Sequence, residues 1–270
     1  MFKELKATGN NIILKSSLFW MDGAKVESTW DYLAKNKGGV RNDRMVKKQI
    51  AYGCNTLTFI VFHAGDPDCN CNPFVGSPNA AQIMAGNNVV DMHEANRWES
   101  LIEAGKHPNV FLIPTIYCGD DAATTQNEEF HKWFLPPVID FFRPYAKAFL
   151  IATEASKSMD VRRQERMIEI MKRAMGLRQI PVGVHNQGAK IAGNADFLAY
   201  EFSWHPSEGD NYTAEQTVDE LKKVLWEYPN YVWPQEINMN PEGMRARQQV
   251  RAIADLAKSE PRLIGIPGPM

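Results

Sequence analysis

The 270-residue sequence predicts a single (β/α)8 barrel spanning residues 1–270 and lacking a C-terminal eighth helix. Three observations lead there. Eight short apolar, β-rich runs alternate with helical patterns from end to end, which calls for a parallel sheet, since each crossover returns the chain to the same end. No G-x-G-x-x-G follows an early run, as an open dinucleotide-binding sheet would carry. No linker, repeat or low-complexity stretch interrupts the alternation.

The first strand is read over Asn11 to Trp20 (NIILKSSLFW), and a helix over Arg44 to Tyr52 is capped by Asn42 or Asp43 and stopped by Gly53. Cys54 to Phe62 (CNTLTFIVF) is strand two. A long segment over 63–91 comes next, with Gly65, Pro67, Pro73, Gly76 and Pro78 in its first part. It exceeds the about 12 to 15 residues usual for a structureless connector and is expected to be a functional loop. A helix near Met92 to Ala104 leads to strand three, Val110 to Tyr117. The helical pattern of Gln126 to Phe142 is interrupted at Pro136-Pro137, Ala148 to Thr153 is strand four, and the next helix, Val161 to Met175, ends at Gly176.

Ile180 to Val184 is strand five, and Gly188 to Asn194 leaves room for only a short helix. Strand six is Phe197 to Phe202, and its helix opens at Thr213, where a Thr cap followed three residues later by Gln216 makes a capping box. Strand seven is Tyr231 to Pro234, a helix covers Pro241 to Lys258, and strand eight is Leu263 to Ile266. The outer side of strand eight is then bare, or is covered by another segment or a partner subunit.

Composition excludes several classes. With 30 Lys plus Arg against 32 Asp plus Glu there is no basic field to gather phosphates, so nucleic acid is not an expected partner. No window of about 18 uncharged apolar residues occurs, so no membrane span is expected. The start, Met1-Phe2-Lys3-Glu4-Leu5-Lys6, lacks the apolar stretch of a secretory signal, and a cytoplasmic or otherwise non-secreted protein is expected. Four cysteines are too few to staple the fold, and the C-x-C of Cys69 and Cys71 has no second pair to complete a zinc site.

In such barrels the chemistry lies at the C-terminal ends of the strands. Ser16 and Ser17 lie near the end of strand one, and His63 ends strand two. Tyr117 ends strand three, Thr153-Glu154 strand four, and His185-Asn186-Gln187 strand five. Tyr200-Glu201 ends strand six with Trp204 beyond, and Gln235-Glu236 ends strand seven. Glu154 and Glu236 thus face one another across the barrel mouth. Two opposed carboxyls suit glycosidic bond cleavage: one, protonated, gives its proton to the leaving oxygen, and the other, ionised, captures the oxocarbenium-like centre. Each taken singly is also what a helix cap or an Arg partner would look like.

At these residues the sequence resembles the retaining (β/α)8 glycoside hydrolases called clan A, in which the acid/base Glu ends strand four and the nucleophile Glu ends strand seven. The resemblance implies that Glu154 is the acid/base, that Glu236 is the nucleophile, and that Tyr200 hydrogen-bonds the nucleophile. Thr153 stands where the clan usually has Asn, which passes the sugar 2-hydroxyl contact to another residue, with Asn186 the candidate. The clan's Trp near the end of strand eight has no counterpart in Ile266-Pro267-Gly268-Pro269-Met270. Glu201 is an extra carboxylate, and strand alternation forbids Tyr200 and Glu201 both pointing inward.

The expected function is therefore retaining hydrolysis of an oligo- or polysaccharide without a cofactor. Glu154 and Glu236 are the catalytic residues, and His63, Tyr117, His185, Asn186, Tyr200, Glu201 and Trp204 bind the sugar. Trp204 is a stacking candidate because Ser203, His205 and Pro206 around it read as an exposed loop. If His63, His185, Glu154, Glu201 and Glu236 converged they could ligate a metal, which keeps a metal-dependent barrel hydrolase or isomerase as an alternative beside a non-catalytic glycan-binding or structural barrel. A Schiff-base aldolase is set aside because Lys15 is the only Lys within a strand, and a phosphate-binding barrel because Glu236-Ile237-Asn238 is not a Gly-rich turn.

Overall fold

The computed structural model of the protein describes residues 14–18, 56–62, 102, 106, 110–119, 127–188, 191–202, 212–236 and 244–267. The helix expected over Arg44 to Tyr52, nearly all of that near Met92 to Ala104, the loop over 63–91, His63, Trp204, Cys69 and Cys71 lie outside the described residues.

Eight parallel strands form one sheet: β1 (Leu14–Leu18), β2 (Thr56–Phe62), β3 (Phe111–Tyr117), β4 (Phe149–Ala152), β5 (Val182–Gln187), β6 (Phe197–Glu201), β7 (Tyr231–Glu236) and β8 (Gly265–Pro267). Their order is β7-β6-β5-β4-β3-β2-β1-β8. The two ends of that order meet where Val232 bridges Leu263 in parallel, with Val232 N–H donating to Arg262 O at 2.9 Å and Ile264 N–H to Val232 O at 3.0 Å. This is the (β/α)8 barrel the alternation predicts. Four helices are described: α1 (Glu128–Phe142), α2 (Val161–Met175), α3 (Ala214–Glu227) and α4 (Met244–Ser259). No helix among the described residues is long and apolar enough to cross a membrane.

The helix ends follow the expected chemistry. Asn127 caps α1 by accepting from Phe130 N–H, and Asp160 caps α2 by accepting from Arg163 N–H. Thr213 and Gln216 form the predicted capping box of α3. Gly176 ends α2 at φ 62°, a conformation that costs glycine nothing.

Two expectations need correction. The helix α1 runs without interruption through Pro136 and Pro137. The two prolines leave the carbonyls of Lys132 and Trp133 without helix donors, but both residues are exposed and water can take those bonds. Burial of Phe130, Phe134, Leu135, Val138, Ile139 and Phe142, at about 1.5 to 3 kcal/mol each, outweighs the about 3 kcal/mol a helical proline costs. The connection from β5 to β6 carries no helix among its described residues.

Side chains alternate between two cores. Outward-facing residues pack under the helices, as where Phe59 meets Phe142 and Phe62 meets Phe134, with ring centroids 5.4 and 5.3 Å apart. Inward-facing Ile113, Leu150, Phe197, Ala199 and Trp233 form a smaller cluster that fills the barrel. On β6 the residue two positions beyond inward Ala199, toward the C-terminal rim, is Glu201.

Candidate active site

That alternation decides the β6 pair. Phe197 and Ala199 are inward, so Glu201 continues their row and Tyr200 faces out. The Tyr200 hydroxyl donates to Glu220 Oε1 of α3 at 2.9 Å, and its ring is buried against Phe202. Tyr200 thus does not reach a nucleophile in the mouth, contrary to what the resemblance implies. Tyr117 is corrected likewise. It is fully buried, its hydroxyl is hydrogen-bonded to His131 Nδ1 at 2.9 Å, and its ring packs on Phe130 and Phe134 of α1, so it lies beneath a helix and not against a sugar.

Glu154 lies two residues past the end of β4, with its backbone in the left-handed region at φ 41° and ψ 48°. It is the only residue other than glycine with positive φ among the described residues. Such a conformation costs a side-chain-bearing residue about 1 to 3 kcal/mol and persists only when its surroundings impose it. Here they do. Thr153 N–H donates to Tyr117 O at 3.0 Å, Glu154 N–H donates to His185 Nδ1 at 2.8 Å, and Lys157 N–H donates to Glu154 O at 2.9 Å. Ser156 N–H donates to the side-chain oxygen of Asn186 at 3.2 Å.

Gly119 closes the turn from the β3 side, donating its N–H to Thr153 Oγ1 at 3.0 Å. A Cβ at that position would stand 2.0 Å from the Thr153 carbonyl oxygen and 2.8 Å from that of Glu154, so only glycine fits. Thr153, where the clan has Asn, is accordingly a buried fastener of the turn. Asn186, expected to contact the sugar, is buried and holds Ser156, so it supports the turn from behind.

At the mouth, Lys157 Nζ pairs with Glu154 Oε2 at 2.5 Å, and the Glu154 side chain is 15% exposed. His185 on β5 is buried, and that burial, with a smaller contribution from the Lys157 charge, pushes its pKa down to about 3. It is therefore neutral, and because Nδ1 accepts from Glu154 N–H its proton is on Nε2. Nε2 lies 3.9 Å from Glu201 Oε2, too far for a hydrogen bond, and a neutral imidazole makes no ion pair there. Gln187 Nε2 donates to Glu201 Oε1 at 2.7 Å, while Glu201 Oε2 is buried and has no hydrogen-bond partner among the described residues. Burial pushes Glu201 up to about 7; the Glu154 charge adds to this, while the Gln187 hydrogen bond and the Lys157 charge oppose it.

On β7 the register slips by one residue. Tyr200 pairs with Pro234, but Glu201 pairs with Glu236, so Gln235 is the extra residue of a bulge. Gln235 is buried, with Nε2 3.5 Å from Thr58 Oγ1 of β2 across the barrel. The slip brings the backbone of Glu236 level with Glu201 at the rim.

The structure thus gathers Glu154, His185, Glu201 and Gln187 at one rim with Lys157, and takes Tyr117, Tyr200 and Asn186 away from it. Sequence reasoning missed Gly119 and Lys157. The (i, i+3) spacing of Glu154 and Lys157 was the one signal for the ion pair, whereas nothing in the sequence distinguishes Gly119 from an ordinary turn glycine. Cys118 beside it is a free thiol. Among the described residues no group of three or more His, Cys, Asp or Glu side chains is placed to hold a metal ion.

No family model matches the sequence, and no curated protein matches it. Solved structures do match over nearly its whole length. A beta-glycosidase aligns at 9% identity and a TM-score of 0.64, covering 96% of this chain and 86% of that one. A beta-glucosidase from Exiguobacterium marinum aligns at 12% identity and 0.55, covering 96% and 89%. A beta-glucosidase from Thermotoga maritima aligns at 11% identity and 0.56, covering 96% and 88%. At such identities the likeness speaks to architecture. The chain has the (β/α)8 barrel fold of these solved glycosidases.

Proposed function

We propose that the protein is a glycoside hydrolase that cleaves an oligo- or polysaccharide with retention at the anomeric carbon, with Glu154 as acid/base and Glu236 as nucleophile. The observation that carries this reading is the rim itself. The strained, fully buttressed turn at Glu154 and the bulge at Gln235 both spend regular structure to set carboxyl-bearing residues at the ends of β4 and β7.

In the first step a carboxylate oxygen of Glu236 bonds to the anomeric carbon, the glycosidic C–O bond breaks, and the leaving oxygen takes the Glu154 proton. In the second, Glu154 takes a proton from water, whose oxygen displaces Glu236 and regenerates both groups. Neutral His185 holds the Glu154 turn from β5, its Nδ1 accepting from Glu154 N–H.

The test is hydrolysis of a panel of dinitrophenyl glycosides by the wild type, Glu236→Gln and Glu154→Gln. Glu236→Gln should abolish turnover. Glu154→Gln should still release a burst of dinitrophenolate, which needs no proton, and then stall at the glycosyl-enzyme. Unchanged turnover by Glu236→Gln would refute the reading.

A further inference from the structure

Three carboxyl-bearing residues sit at this rim where retaining hydrolysis uses two, and the third is built in with care. Glu201 continues the inward row of β6, its side chain is 13% exposed, Gln187 fixes Oε1 at 2.7 Å, and Oε2 is buried without a hydrogen-bond partner among the described residues. Among the described residues the charged and titratable groups around it are few. From β5 comes His185, which is neutral; from the end of β4 come Glu154 and its ion-pair partner Lys157; and β7 sets Glu236 level with Glu201.

Charge balance then limits what the rim can hold. Lys157 is the single ammonium among these groups, and it is already 2.5 Å from Glu154. A second carboxylate near that pair would be buried, without a cation of its own among the described residues and within the influence of a like charge, which is costly. A protonated carboxyl avoids this.

We propose that Glu201 is a positioning residue that holds the resting proton of the rim, and that Glu154 becomes the acid by taking over that proton. In the transfer the Glu201 O–H bond breaks and a Glu154 O–H bond forms. The negative charge moves to Glu201, where Gln187 already donates a hydrogen bond and the Lys157 ammonium can follow. The two carboxyls act as one coupled unit with one proton and one cation between them. The upward shift of Glu201 to about 7, to which the Glu154 charge contributes, agrees with this geometry. The use to which the proton is put rests on the glycosidase reading; the pairing itself does not.

The test titrates the full chain carrying 13C-carboxyl glutamate, with the Glu201 signal identified by its loss in Glu201→Gln. In the wild type Glu201 should titrate near neutrality. Glu154→Gln, which deletes the neighbouring charge and frees Lys157, should lower that midpoint by about one unit or more. Lys157→Met, which deletes the cation, should raise it. An ordinary carboxylate midpoint for Glu201, or one that ignores both substitutions, would overturn the pairing. The second readout is the pH profile of kcat/KM, in which Glu201→Gln should move the alkaline limb toward acid by about one unit. An unmoved limb contradicts the proposal. Inactive Glu154→Gln with uncoupled titrations would sink the pairing alone, whereas coupled titrations in a protein that cleaves no glycoside would sink the glycosidase reading alone.

Discussion

The backbone N–H of Glu154 and Nδ1 of His185 meet at 2.8 Å, and this one contact fixes both a strained main chain and an imidazole tautomer. It couples the ends of β4 and β5, so the acid/base candidate is aimed by its neighbour's ring.

Replacing His185 with Ala should therefore do two things at once. The Glu154 amide loses its acceptor, which costs about 1 to 3 kcal/mol in a buried setting, and urea denaturation should show that loss. The turn relaxes away from φ 41°, and kcat should fall about ten- to a hundredfold, more than KM rises.

Gly119 should tolerate no side chain. In Gly119→Ala the new Cβ meets the Thr153 carbonyl oxygen at 2.0 Å, so the β3 and β4 ends must separate. A stability loss of about 1 to 3 kcal/mol is expected together with a drop in kcat, although the residue touches no substrate. Denaturant midpoints and steady-state kinetics measure both.

The two tyrosines should behave as framework. Tyr200→Phe deletes the hydrogen bond to Glu220, and Tyr117→Phe deletes that to His131. Each should cost about 0.5 to 1.5 kcal/mol and leave kcat and KM within about twofold of wild type. A large fall in kcat for Tyr200→Phe would instead restore it to the nucleophile's side.

Stability should have a broad optimum in mildly acidic solution. His185 titrates at about 3 folded against an ordinary 6.5, so the unfolded chain binds the extra proton and stability is lost as pH falls from 6.5 toward 3. Glu201 titrates at about 7 against an ordinary 4.5, so the folded chain keeps a proton the unfolded one releases, and stability is lost as pH rises from 4.5 to 7. The two slopes oppose one another between 4.5 and 6.5. Urea midpoints of Glu201→Gln should keep the acid-side loss and lack the fall toward neutrality.

The barrel was legible in the sequence because its signal is repeated: eight apolar runs, a capping box at Thr213, a stop at Gly176. Glu154 was legible because it directly follows one such run. Alternation also announced that Tyr200 and Glu201 must diverge, but which of them faces in depends on whether Phe197 and Ala199 fill the barrel, a tertiary fact. The bulge at Gln235 escaped for the same reason. A strand's pattern of two carries no mark of one extra residue until its partner strand is in place. Tyr117 was misjudged because its position at a strand end is a local property, whereas its hydrogen bond to His131 comes from a helix that folds back over it.

The left-handed backbone at Glu154 has a last consequence, for anyone who would make this protein sturdier. Glycine or asparagine at that position would relieve the backbone strain, in partial exchange for the ion pair with Lys157, and a library selected only for heat resistance should enrich such replacements early. The survivors would be robust barrels stripped of the proposed proton donor, so a thermal screen of this fold needs a simultaneous selection for turnover.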